Sequence, residues 1–142
     1  MSKKEFDLSH FIPYLLNQAA EKSSRDFENI YKIDFGITQA QWRVIANLGK
    51  YGTMSSKEIR LKLNQNKTSI SRAVYALEEK GLLARKTSEK DRRYEELQLT
   101  ADGQKMFKQL GKAAITHNQS IFTALGQEDA ERLTQILNRM IE

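Results

Sequence analysis

The stretch from residue 55 to residue 99 constrains the fold more than any other part of the chain. Ser55-Ser56-Lys57-Glu58 has the form of a capping box, in which a Ser hydroxyl and a Glu carboxylate each satisfy a backbone N–H at a helix start. Ile59 and Leu63 give that short helix one apolar side. Asn64-Gln65-Asn66 is a polar turn, and Asn66 suits the N-cap of the next helix. On that helix, read over residues 66–80, Ile70, Ala73, Val74 and Leu77 share one face. At about 100° per residue, Thr68, Ser71, Arg72 and Tyr75 fall on the opposite one. Gly81 stops the helix. Residues 82–87 and 94–99 read as two strands, the second alternating Leu97 and Leu99 with Glu96 and Gln98. The turn between them, Ser88-Glu89-Lys90-Asp91-Arg92-Arg93, is densely charged. Two short helices across a tight turn, followed by a hairpin, make a winged helix-turn-helix.

The flanks have helical period. Phe11, Ile12, Leu15, Leu16, Ala19 and Ala20, then Phe27, Ile30 and Tyr31, predict a long amphipathic helix over residues 8–31. Pro13 falls in its first turn or two, where a missing N–H costs least. Gly36 breaks the chain, and Thr38-Gln39-Ala40-Gln41 is a second capping box. It opens a helix that turns Trp42, Ile45, Ala46 and Leu48 inward and ends near Gly52. Thr100-Ala101-Asp102-Gly103 caps a long helix to about residue 124. After a turn at Leu125-Gly126, a last helix over 128–141 presents Leu133, Ile136, Leu137, Met140 and Ile141. The expected fold is mainly α with a small β-hairpin wing. A winged helix-turn-helix lobe spans 36–100, and helical dimerisation regions span 1–35 and 101–142. These flanking helices have no large domain of their own to pack against, so a partner chain is their expected cover.

Charge singles out the same central region. The chain of 142 residues carries +5 in all. Residues 57–93 hold eleven Lys/Arg against five Asp/Glu, so this block is +6 and the remainder sums to −1. A localised basic block is the electrostatic footprint of a polyanion partner. A basic face on an otherwise solvated helix is a common feature of soluble proteins, but here it coincides with the helix-turn-helix and the hairpin. The absence of cysteine excludes disulfides, thiolate zinc sites and thiol redox sensing. No phosphate-binding Gly loop, nucleophile elbow or metal-ligand spacing is present, so no enzymatic activity, metal or cofactor is expected. The longest apolar run, residues 11–16, contains Pro13 and is too short to span a membrane. A cytoplasmic location is the expectation.

A helix that enters the major groove, about 12 Å wide, needs an apolar face to hold it and a small, polar, basic face to read bases. Arg72 has the reach for a bidentate contact with guanine or for a phosphate. Thr68, Ser69 and Ser71 are short enough to bring the backbone close, Lys67 suits a phosphate, and Tyr75 either reads or packs. A basic hairpin tip reaching the adjacent minor groove favours narrow A·T-rich tracts. With Arg85, Lys90, Asp91, Arg92 and Arg93 of the hairpin, these residues form the expected DNA-contacting set. Asp91 also suits an Asx turn.

The run Ser69-Ile70-Ser71-Arg72-Ala73-Val74-Tyr75-Ala76-Leu77-Glu78-Glu79-Lys80-Gly81-Leu82-Leu83-Ala84-Arg85 resembles the recognition helix and first wing strand of the MarR family of transcriptional regulators. Asp91-Arg92-Arg93-Tyr94-Glu95-Glu96-Leu97-Gln98-Leu99-Thr100 resembles that family's wing signature, Asp-x-Arg followed by a strand ending Leu-x-Leu-Thr. The resemblance implies a homodimer formed by the N-terminal helix and the two C-terminal helices. It also implies repression or activation at a pseudo-palindromic operator on double-stranded DNA, with repression the expected sign, and release by a small aromatic or anionic effector. It matches Arg93 to the wing arginine that enters the minor groove and Asp91 to the acid that orients it. An effector site is expected where the DNA-binding lobe meets the dimerisation helices, from His10, Tyr14 and Asn17 on the first helix and Trp42 and Arg43 on the second. Arg43 suits the carboxylate of an aromatic acid or an exposed position. Trp42 suits the core or a ligand platform. His10 and His117 are the only histidines, too few for the zinc-sensing members' ligand clusters.

Overall fold

The computed structural model describes residues 5–142, which divide into two compact units, the second running Thr38–Glu142. In the first unit, a 3-10 turn at Leu8–His10 is capped by the Asp7 carboxylate. Helix α1 follows at Ile12–Asn29 and passes into a wider π turn at Ile30–Asp34. The single helix expected over 8–31 is therefore broken at Phe11, whose backbone is extended. Pro13 lies at the start of α1, so its missing N–H falls among groups that have no intrahelical acceptor. Phe27 and Tyr31 are buried and meet edge to face, with ring centroids 5.7 Å apart. Gly36, at φ +65°, ends this unit's helical run as expected.

The second unit contains α2 (Gln39–Tyr51), β1 (Met54–Ser55), α3 (Ser56–Leu63), α4 (Lys67–Glu79), β2 (Leu83–Thr87), β3 (Glu95–Leu99), α5 (Ala101–Leu125) and α6 (Gln127–Ile141). Both expected capping boxes close. The Thr38 hydroxyl accepts the Gln41 N–H at 3.2 Å, and the Ser55 hydroxyl accepts the Glu58 N–H at 3.1 Å. The fold is the mainly helical winged helix that the sequence predicts. The three-stranded sheet has the order β1-β3-β2, antiparallel throughout. Strand β1 was not legible in the sequence, because two residues have no period. It exists only because Met54 and Ser55 pair with Leu97 and Glu96, more than forty positions away.

The core joins Val44, Ile45 and Leu48 of α2 to Ile59 of α3, and to Ile70, Val74 and Leu77 of α4. Leu82, Leu83, Leu97 and Leu99 close it from the hairpin side, and all are buried. Thr100 locks the start of α5 to the loop before the wing. Its hydroxyl donates to the Gly81 carbonyl at 2.7 Å and accepts the Gly103 N–H at 3.1 Å. Its own N–H donates to the Leu82 carbonyl at 3.1 Å. Recognition helix and wing are thereby anchored to one scaffold.

Candidate nucleic-acid interface

Helix α4 begins where the sequence places it. The Asn66 side chain accepts the Ser69 N–H at 2.8 Å, and the preceding turn closes through Asn64, which adopts the left-handed conformation at φ +50°. The two faces separate as the period predicts. Ile70, Ala73, Val74 and Leu77 are buried, while Lys67, Thr68, Ser71, Arg72 and Tyr75 are exposed. Ser69 is half-buried on the flank, its N–H committed to the cap. Tyr75 is 59% exposed, so its ring does not belong to the core.

The wing tip is ordered by Asp91. One carboxylate oxygen accepts the Arg93 N–H and the Arg93 Nε, both at 3.0 Å, and the other accepts Nη2 at 2.7 Å. Asp91 therefore makes the Asx turn and also holds the guanidinium in a bidentate pair. The side-chain hydrogen bond from Arg93 holds the Asp91 carboxyl below the usual carboxylate range, and the same bond raises Arg93. The Ser88 N–H donates to the Tyr94 carbonyl at 2.9 Å and the Tyr94 N–H to the Asp91 carbonyl at 3.0 Å, which closes the turn. Arg93 is 82% exposed and stands 5.9 Å from the Tyr94 ring centroid. Lys90 and Arg92 are also exposed.

Arg85 is placed differently from its neighbours on the expected contact surface. Its Nε donates to Glu78 at 3.1 Å and its Nη1 to Glu95 at 3.0 Å, so two carboxylates already compensate its charge. The Glu95 hydrogen bond is the main reason its guanidinium is raised above the usual value.

Two features escaped sequence reasoning. An open depression of about 430 Å³ lies between the start of α2 and the start of α4, bordered by Thr38, Gln41, Asn66 and Arg72. A second, of about 440 Å³, gathers Lys57, Arg60 and Lys67 around the turn between α3 and α4. Lys57 and Arg60 were visible in the basic block, but their convergence with Lys67 depends on the angle between two helices.

The expected effector residues fall on both units. His10, Tyr14 and Asn17 belong to the first, where the His10 ring contacts the Asp7 carboxylate at 2.8 Å. Trp42 and Arg43 lie on α2 in the second, and both are half-buried. Among the described residues no group of three or more His, Asp or Glu is arranged to hold a metal ion. Among the same residues no helix is long and apolar enough to cross a membrane.

A family model of the MarR family matches residues 35–93, the segment that holds α2, α3, α4 and the wing tip. A solved structure of the transcriptional repressor CouR, bound to a 23-mer DNA duplex, superposes with a TM-score of 0.85 at 26% identity, and the match covers 100% of both chains. The segment 35–93 is therefore of MarR type. Likeness to other known proteins extends beyond that segment. The HTH-type transcriptional regulator FarR of Neisseria gonorrhoeae is 29% identical over 122 residues, covering 86% of this chain and 83% of FarR. NadR, solved in complex with 4-hydroxyphenylacetate, matches with a TM-score of 0.80 at 27% identity, covering 99% of this chain and 96% of NadR. The chain is a transcriptional regulator that binds DNA.

Proposed function

We propose that the chain is a homodimeric repressor that reads a pseudo-palindromic operator, with α4 in the major groove and the wing in the adjacent minor groove. The observation that carries this reading is the exposed face of α4. Lys67, Thr68, Ser71, Arg72 and Tyr75 stand free there, beside a hairpin whose Asp91 pre-orients Arg93. Arg72 supplies base readout, Lys67 neutralises a phosphate, and Lys90, Arg92 and Arg93 enter or flank the minor groove. Thr68 and Ser71 permit close approach of the helix, and Ser69 contributes through the backbone at its N-terminus.

The homodimer rests on exposed apolar residues. Leu133, Ile136 and Met140 form a stripe on α6, and all three are at least two-fifths exposed. Phe11, just before α1, and Ile12 and Leu15 on it are similarly exposed. Contiguous exposed apolar surface on helices of this kind is covered by a second chain in a closed two-fold dimer. Relief of repression by a small aromatic acid is supported by the half-buried Arg43, a cation suited to a carboxylate, and by the phenolic acid bound to NadR. Trp42, on the same helix, completes the residues of this unit proposed to bind it.

Selection of bound duplexes from a random pool tests the reading directly. The expected product is an inverted repeat with half-sites about 10 bp apart, centre to centre. A pool that shows no enrichment, or enrichment of a single asymmetric half-site, overturns it.

A further inference from the structure

The hairpin register puts Arg85 on a face that the sequence did not reveal. Leu83, Arg85 and Thr87 stand opposite Leu99, Leu97 and Glu95, and directly opposed residues share a face of the sheet. Leu83, Leu97 and Leu99 are buried, so Arg85 lies on the core side of the wing. Lys86, paired with Glu96, lies on the other side. From the core edge the Arg85 guanidinium reaches back to Glu78 in the last turn of α4 and across to Glu95 on β3.

Only Lys80, Gly81 and Leu82 separate α4 from β2, and Gly81 sits at φ +75°. A short joint with a left-handed glycine is where the hairpin would swing relative to the recognition helix. The Arg85 fork spans this joint from both sides. A planar guanidinium holds two carboxylates at a fixed angle, which a lysine ammonium does not. A phosphate approaching Arg85 would meet Glu78 and Glu95 together with it, a cluster of net negative charge.

We propose that Arg85 is a positioning residue that braces the wing against the recognition helix, so that both reach their grooves together, and that it makes no phosphate contact. The inference rests on the DNA-binding reading above, and one arm of its test is independent of DNA. Full-length R85Q, R85K, E78Q and R85Q/E78Q would be titrated against a duplex selected by the unaltered chain, over a salt series. R85Q and R85K should both weaken binding by about three- to tenfold, the scale of two partly exposed charge-assisted pairs. R85Q/E78Q should lose no more than R85Q alone. The slope of log affinity against log salt should stay unchanged. A slope reduced by about one, with R85K binding as the unaltered chain does, identifies a phosphate contact and overturns the proposal. So does additive loss in R85Q/E78Q.

Because the chain has no cysteine, spin labels can be placed at Tyr75 and Lys90 alone. In DNA-free protein diluted with unlabelled chain, R85Q should broaden the distance distribution between α4 and the wing tip. An unbroadened distribution overturns the brace. If the unaltered chain selects no duplex, the operator reading fails while this measurement still decides the brace.

Discussion

Two glycines of α5 predict opposite responses to the same substitution. Gly103 stands in the first turn, where alanine would ordinarily be preferred by about 0.5–1 kcal/mol. An added Cβ there overlaps the Leu82 carbonyl oxygen and lies 3.1 Å from the Leu99 Cβ. That carbonyl cannot yield cheaply. It accepts the Thr100 N–H at 3.1 Å, and the Leu82 N–H is itself bonded to Leu77 at 2.9 Å. Relief requires the start of α5 to move off the loop before the wing, and overpacking of this kind costs about 1–3 kcal/mol. Weakening of the Thr100 hydrogen bonds adds about 1 kcal/mol. After the helix-propensity gain is subtracted, Gly103→Ala should destabilise the fold by about 1–3 kcal/mol. Gly111, on the same helix, has nothing within 4 Å of a built Cβ. Gly111→Ala should therefore stabilise by about 0.5–1 kcal/mol. At about 2–4 °C per kcal/mol, the melting temperature should fall by about 2–12 °C in the first variant and rise by about 1–4 °C in the second. Thermal unfolding followed by circular dichroism measures both, at one protein concentration because association makes the midpoint concentration-dependent. If Gly103→Ala melts at or above the temperature of the unaltered chain, intrinsic propensity outweighs the close approach and the argument is wrong.

Five further outcomes are expected. Arg93→Ala should weaken operator binding by about 1–3 kcal/mol in gel-shift titrations with an unchanged circular dichroism spectrum, since Arg93 is exposed. Arg72→Ala should relax base preference among selected duplexes. Lys67→Ala should instead weaken all sequences alike and reduce the salt slope by about one. Ile136→Glu should leave the chain folded, because Ile136 is 43% exposed, yet abolish the dimer in light scattering and operator binding with it. The Asp91 carboxyl, held low by Arg93, should titrate below the usual carboxylate range. The stability it lends the wing turn is then present above the ordinary carboxylate value and lost only as pH falls through the lowered one. A carboxyl NMR titration showing Asp91 at or above the ordinary value would contradict the pairing.

The features legible from local pattern act within a few residues of themselves. Helix caps at Thr38, Ser55, Asn66 and Thr100 are local, because each side chain bonds a backbone N–H only three positions on. The two faces of α4 follow from a period of 3.6 residues, and the Asp91–Arg93 pair from a spacing of two. The tertiary structure decided what depends on distant partners. Strand β1 exists because Leu97 and Glu96 offer it an edge. Gly103 must be a glycine because the Leu82 carbonyl lies against it. Arg85 meets Glu78 because the hairpin register put it on that face of the wing, where its side chain stays partly exposed. In a sheet, a shift of one residue exchanges the two faces, so the charge of Arg85 was legible in the sequence while the direction it points was set by the pairing of β2 with β3.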